Sequence, residues 1–442
     1  MMTTHTHARS RFRPWLAAAL LALAACAPAT ATPAAAPAAA ETASATPPPT
    51  APSTATPAVT VTPVPVTLAV WWPEPLAPLD NGDAADLLSE QISSFQAAQS
   101  GSVLVDLRLK RESDLGGIMA TLHAASPVAP GALPDLTLMQ RSDMLAAARD
   151  ELIFPLEGLV SSALLGDLFE PALQLGQVDG TLYGMPYMLA VDHMAYRGAA
   201  DGAALSWRFD DVLARGLPYV FPGGAEAGIN RTLFSQYLDA GGSLDAVGLL
   251  ETDADALLTV FSYYEAATAA GILSPTVLAH TRPFNYHAEL VSGTLDAGVV
   301  SSTLYLTLLD EGADLRFGPL PTESGAGASA LGGWMWVLTT SSADRQALAA
   351  RFLNWMMAAN RQGRYAQTVR MLPSQRAALQ QWPAAPYTAF VREQLAQAVP
   401  YLADNAGSVT ARALQSAMAE VIAGQRNAAA AVENVLDLVA GQ

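Results

Sequence analysis

The sequence predicts an α/β fold, and three observations carry that prediction. From Val66 onward short β-rich runs alternate with longer stretches of helical periodicity. A turn at Asp179-Gly180 feeds a long apolar strand, Met188 to Tyr196, and the last third of the chain reads as helix to its end. Strands that alternate with helices imply a mainly parallel sheet covered on both faces.

The elements follow in order. Val66 to Trp72 is β-rich, and Ala84 to Gln99 carries Leu87, Leu88, Ile92 and Phe95 at helical spacing. Val103 to Leu109 and Pro134 to Met139 are further strands, with a helix from about Ser142 and then Phe154-Pro155-Leu156. Pro186 has no N–H to give a ladder, so it suits the beginning or the edge of the long strand that follows. Next come a helix at Phe209 to Ala214, a strand at Tyr219 to Phe221 closed by Pro222-Gly223-Gly224, and helices at Thr232 to Ala240 and Ala254 to Ala270. Asn285 to Ser292 is a short helix and Asp296 to Val300 a strand. Leu331 to Leu338 is a strand expected beside Met188 to Tyr196. Helices near Asp344 to Ala359 and Arg361 to Val369 precede Met371-Leu372-Pro373-Ser374, read as one more crossing. No short-period repeat is present, which argues against a solenoid.

At 442 residues the chain is long enough for two ordinary domains. Met1 to Arg13 is basic, Trp15 to Leu23 is a short apolar core, and Leu23-Ala24-Ala25-Cys26 resembles the lipobox of bacterial lipoprotein precursors. Residues 1–25 are therefore read as a signal peptide, and the resemblance implies lipidation of Cys26. The run is too short for a membrane span. The formal charge of −17 becomes −20 once Arg9, Arg11 and Arg13 leave with the leader, a surface that repels nucleic acid and anionic lipid. Cys26 is the single cysteine, so structural disulfides and cysteine-built metal sites are excluded. Residues 26–65, mostly Ala, Thr, Pro and Ser, cannot offset their ordering entropy by burial and read as a tether of roughly 100 Å at about 3.1 Å per residue. Their Thr and Ser content also permits O-glycosylation.

Motif searches for catalysis come back thin. There is no G-x-S-x-G elbow, phosphate loop, H-E-x-x-H pair or acidic calcium loop. His123, His193, His280 and His287 are isolated or badly spaced and read as surface or helix-face residues. No cofactor and no metal are expected.

The run D-G-x-L-Y-G-x-P from Asp179 to Pro186, with Tyr196 ten residues after the proline, resembles the first interlobe crossing of extracellular solute-binding proteins of ABC importers, carbohydrate type. Arg197 stands where relatives carry Asn. Strand-W-x-P near Trp72, P-D-L at Pro134, G-P-L-P at Gly318, G-G-W at Gly332 and L-P-S at Leu372 occur in family order, so the resemblance spans Val66 to Val439. It implies a periplasmic-binding-protein-like fold: two α/β lobes joined by several crossings, with a ligand cleft between them. The expected lobes are 66–186 plus 333–370 and 187–332 plus 371–442. It also implies a monomeric, lipid-anchored receptor outside the cytoplasm that delivers a carbohydrate or polyol to the transmembrane subunits of an ABC permease, without catalysis.

A sugar offers hydroxyls that donate and accept, plus an apolar ring face, so its site needs carboxylates or amides beside an aromatic plate. Trp72 and Glu74, at the carboxyl end of the first strand, provide both. Asp143 stands where the family often places a hydroxyl-binding acid, with helix capping as its other role, and Arg141 is its neighbour. Tyr187 follows Pro186 at the crossing; alternation does not decide between it and Asp192, and Tyr187 is the candidate. Gly332-Gly333 permits close backbone approach and makes Trp334 the expected stacking platform, with Trp336 assigned to the core. Ser301 and Thr303 add hydroxyls at a strand end, and Arg370 precedes the last crossing. Ala190, where maltose-type relatives carry an acid, and Ser408 to Ala413, which lacks an aromatic, leave room for a small or non-sugar ligand. Two rivals remain: a sensor subunit using the same fold, and a secreted hydrolase using Glu74 and Asp143.

Overall fold

The structure, a computed structural model, describes residues 64–77, 82–113, 115–198, 205–225, 228–401 and 407–441. The leader, Cys26 and the tether up to residue 63 lie outside the described residues.

The strands are β1 (Val66–Pro73), β2 (Val103–Lys110), β3 (Leu136–Gln140), β4 (Gln177–Val178), β5 (Thr181–Leu182), β6 (Gly184–Tyr196), β7 (Ala297–Ser301), β8 (Arg316–Gly318), β9 (Ala330–Leu338), β10 (Leu372–Pro373) and β11 (Val399–Pro400). β6 organises them. Its first half runs antiparallel to β9, from Gly184 opposite Val337 to Val191 opposite Leu331. Its second half changes partners and pairs with β7 and β8, starting at Asp192 opposite Ser301. β6 and β9 thus form a two-stranded crossing between a lobe built on β1, β2 and β3 and a lobe built on β7 and β8.

The expectation of a mainly parallel sheet needs correction. β1 is parallel to β2 and β3, and β11 to β9, but β3–β9, β6–β9, β6–β7, β6–β8 and β6–β10 are all antiparallel. Strand–helix alternation reports the βαβ start of a lobe; it carries no information about a later strand that returns through the same lobe in the opposite sense.

A local irregularity sets which side chains of β6 face where. The register slips between Pro186 and Met188, where proline has no N–H for the ladder. The carbonyls left over are satisfied from behind: Ser374 Oγ donates to Pro186 O at 2.6 Å, and Gln362 Nε2 donates to Tyr187 O and to Ser374 Oγ, both at 2.9 Å. Both side chains, Ser374 and Gln362, are buried, so the slip is held by a closed set of hydrogen bonds.

Across the ladder, Gly333 lies so close to β6 that a Cβ there would stand 2.2 Å from Met188 O and 3.0 Å from Leu189 Cα. Gly333→Ala is accordingly expected to destabilise the protein by about 1–3 kcal/mol, because the obstacle is backbone and cannot rotate away. A urea midpoint unchanged from wild type would show that the two strands separate freely at this point.

Candidate functional site

Beyond the slip, side chains alternate along β6 so that Ala190 and Asp192 face one side, while His193 faces the other. On the Ala190 side lies a cavity of about 450 Å³. It is bounded by Gly332, Gly333 and Trp334 of β9, Gln140 at the end of β3, and Met371. From the β7 side come Ser301, Thr303, Leu304 and Thr307, the segment Arg282-Pro283-Phe284, and Arg231. Both lobes therefore contribute walls, with the crossing strands as the floor.

Each wall is placed by local chemistry. Ser301 ends β7 and caps the helix Ser302–Asp310 by accepting from Leu304 N at 3.1 Å, which brings Thr303 into the first turn beside it. Arg231 opens the helix Arg231–Asp239 behind the capping residue Asn230, and its Nε donates to Asp192 Oδ2 at 2.7 Å. Phe284 sits in the short 3-10 turn Pro283–Tyr286, 67% exposed, its ring stacked on His287 with centroids 4.9 Å apart. His287 Nε2 in turn lies 2.7 Å from Glu311 Oε2. Phe284 thus presents a supported aromatic face at the cavity wall.

Glu112 accepts a hydrogen bond from Gln140 Nε2. Its carboxyl is pushed up first by burial and then by neighbouring Asp143, while Arg282 of the opposite lobe and the Gln140 bond pull it back. Burial also raises Asp143. A second link between lobes runs the other way: Arg370, in left-handed backbone at φ 57°, directs Nε to Asp310 Oδ2 at 2.5 Å.

The residues expected from sequence divide accordingly. Trp334, Ser301 and Thr303 line the cavity together, although Trp334 is only 5% exposed and is largely a packed side chain. Trp72 and Tyr187 are corrected: both are fully buried. Their rings pack with Trp336 and Tyr365 at centroid distances of 5.3–6.4 Å, because the slip at Pro186 turns Tyr187 inward and Trp72 faces the lobe's interior at the end of β1. Trp336 belongs to that core cluster, as expected. Glu74 is exposed and Asp143 lies in the first turn of the helix Arg141–Arg149; neither lines the cavity. Arg141 turns away from it, its Nη1 donating to Leu175 O at 3.1 Å and to Gln177 O. Arg370 is spent on Asp310. His193, expected at a surface or helix face, is wholly buried on β6.

Sequence reasoning missed Arg231 and Phe284, and it weighed Asp192 but chose Tyr187. Asp192 had a signal, since it shares parity with Ala190; the slip that decides between it and Tyr187 is a tertiary effect. A larger cavity of about 650 Å³ lies between Arg141, Arg149, the β4–β5 turn, residues 244–249 and β11, but its lining includes no aromatic side chain. The smaller one has the richer recognition chemistry.

Comparison with known proteins bears on this arrangement. Residues 90–390 match the family described as bacterial extracellular solute-binding protein. The chain belongs to that family. Members of this family are binding proteins that work outside the cytoplasm. Among solved structures, a cyclic α-maltosyl-1,6-maltose binding protein from Arthrobacter globiformis is similar with TM-score 0.68 and 18% identity, covering 85% of this chain and 98% of that one. A cyclo/maltodextrin-binding protein complexed with maltotetraose gives 0.66 and 15%, over 86% and 97% of the two chains. A maltose-binding periplasmic protein from Listeria monocytogenes gives 0.64 and 14%, over 84% and 96%. At these identities the likeness shows the fold, two α/β lobes around a cleft. Among curated proteins none matches the sequence.

Proposed function

We propose that this solute-binding protein captures a neutral carbohydrate or polyol in the 450 Å³ cleft and delivers it to the transmembrane subunits of an ABC permease. One observation carries the reading: between the lobes, the exposed ring of Phe284 and the small exposed part of Trp334 line one cavity with the Asp192–Arg231 pair and the hydroxyl residues Ser301 and Thr303. Rings stack on aromatic faces and hydroxyls need both donors and acceptors, and this lining supplies each. The similar solved structures are named for maltose and maltodextrins, which supports the same class of solute.

In this reading the solute bridges the two lobes and favours their closed arrangement, and no reaction is catalysed. The protein acts as a monomer anchored through a lipid on Cys26, with residues 26–65 as its tether.

Calorimetric titration with neutral sugars, polyols, sugar acids and amino acids tests the proposal. At least one neutral sugar or polyol is expected to bind, and Phe284→Ala to weaken it about tenfold with the unliganded melting temperature unchanged, since the ring is exposed. Binding of amino acids with no response to any sugar would overturn the assignment. Trp334→Ala is the poorer probe, because removing so buried an indole disturbs folding as well as binding.

A further inference from the structure

We propose that Asp192 and Arg231 form the specificity element of the cleft and select a solute with hydroxyls on adjacent carbons. This deepens the carbohydrate reading above and rests on it. Both side chains line the cavity, Arg231 from the β7 lobe and Asp192 from the crossing strand.

The guanidinium is fixed at several points. Nε is held by Asp192 Oδ2 at 2.7 Å, Nη2 donates to Ala330 O at 2.6 Å, and the group lies 5.5 Å from the Tyr401 ring centroid. Asp192 is held in its turn: its backbone N–H donates to Ser329 Oγ at 2.8 Å, and its side chain is only 9% exposed. Among the described residues no hydrogen bond engages Arg231 Nη1 or Asp192 Oδ1. The pair therefore offers the cavity one fixed donor group and one fixed acceptor.

That combination matches a vicinal diol. One hydroxyl accepts from Nη1 while its neighbour donates to Oδ1, and neither side chain must reorganise to make the bonds. A lone hydroxyl uses only half of the pair. An anion gains little, because the charge of Arg231 is already balanced by the carboxylate at 2.7 Å. Gly332 is part of the device: a Cβ there would stand 2.7 Å from Arg231 Nη1, so only glycine leaves that donor in place.

The test uses the full chain and calorimetry with glucose, galactose, mannose, maltose, myo-inositol and glucuronate, followed by the monodeoxy analogues of whichever neutral sugar binds. For wild type, removing one hydroxyl of the recognised pair is expected to weaken binding about 10- to 100-fold. Arg231→Lys keeps the charge but loses the planar fork, and is expected to bind the parent sugar as weakly as wild type binds one of the two weakened deoxy analogues, the one lacking the hydroxyl bound to Arg231, with no further loss when those two changes are combined. Gly332→Ala should reproduce the loss with the Arg231 side chain intact. Melting temperatures of the unliganded variants separate misfolding from lost recognition, and the deoxy series on wild type does not depend on any variant folding. Full binding by Arg231→Lys, additive losses, or tighter binding of glucuronate than of glucose would overturn the diol proposal while leaving a carbohydrate receptor in place. A wild type that binds none of the neutral sugars would remove both.

Discussion

Replacing Asp135 by alanine is expected to destabilise the protein by about 2–4 kcal/mol, because it removes the buried partner of an ion pair whose Arg345 side chain is 34% exposed. Asp135 is 4% exposed, and its carboxylate joins three segments far apart in sequence. Oδ2 accepts from Ala69 N of β1 at 2.8 Å, Oδ1 accepts from Arg345 Nε at 2.7 Å, and Arg345 Nη2 donates to Oδ2 as well. The alanine variant would leave the guanidinium beside a void and the β1 amide without an acceptor. Asp135→Asn should lose less, because an amide oxygen can still accept from Ala69. Combining Asp135→Ala with Arg345→Ala should lose less than the sum of the single changes. Urea unfolding measures the two single alanine variants, Asp135→Asn and the double variant against wild type; a loss under about 1 kcal/mol in Asp135→Ala would mean that the pair is solvated and worth only what surface pairs are worth.

The same residue shows what could be read before any coordinates. Pro134-Asp135-Leu136 was legible as the start of a strand and as part of an ordered series of motifs, because residue type and order are sequence properties. Its role as a clamp between β1 and the helix Ala343–Met356 was not, since that depends on a contact spanning 210 positions. The cleft divides in the same way. Gly332-Gly333-Trp334 and Ser301 to Thr303 were legible because glycine pairs and hydroxyls at strand ends carry local meaning. Tyr187 and Asp192 could not be told apart because a single slipped residue at Pro186 inverts the faces of everything beyond it. Arg231 and Phe284 lie on a helix start and a 3-10 turn whose orientation toward the crossing is set by packing of the β7 lobe, and no spacing in the chain announces it.

His193 leads to the second large effect: stability is expected to fall by about 3 kcal/mol as pH drops from about 6.5 to about 4, in addition to whatever the carboxylates contribute. The imidazole is wholly enclosed on the face of β6 opposite Asp192, among Tyr305, Tyr387 and Phe390 at centroid distances of 5.1–5.6 Å. Its Nδ1 donates to Met194 O at 2.9 Å, so Nε2 is the nitrogen that accepts from Tyr387 OH at 3.0 Å. Burial is the main cause that lowers its pKa to about 4, outweighing the Met194 carbonyl and Asp192, which act in the opposite direction. The sign follows. Below about 6.5 the unfolded chain binds a proton that the native state refuses, so unfolding is favoured progressively until the native pKa is reached. Glu112 and Asp143 have raised pKa values in the folded protein and so add stability on the acid side, which makes the difference between proteins the useful quantity. His193→Gln removes the titrating group, so subtracting its urea-unfolding free energy from that of wild type at each pH should leave a curve that declines by about one proton's worth across this window. A flat difference would mean that solvent reaches the ring, and that the strand joining the two lobes is opened far more readily than its burial implies.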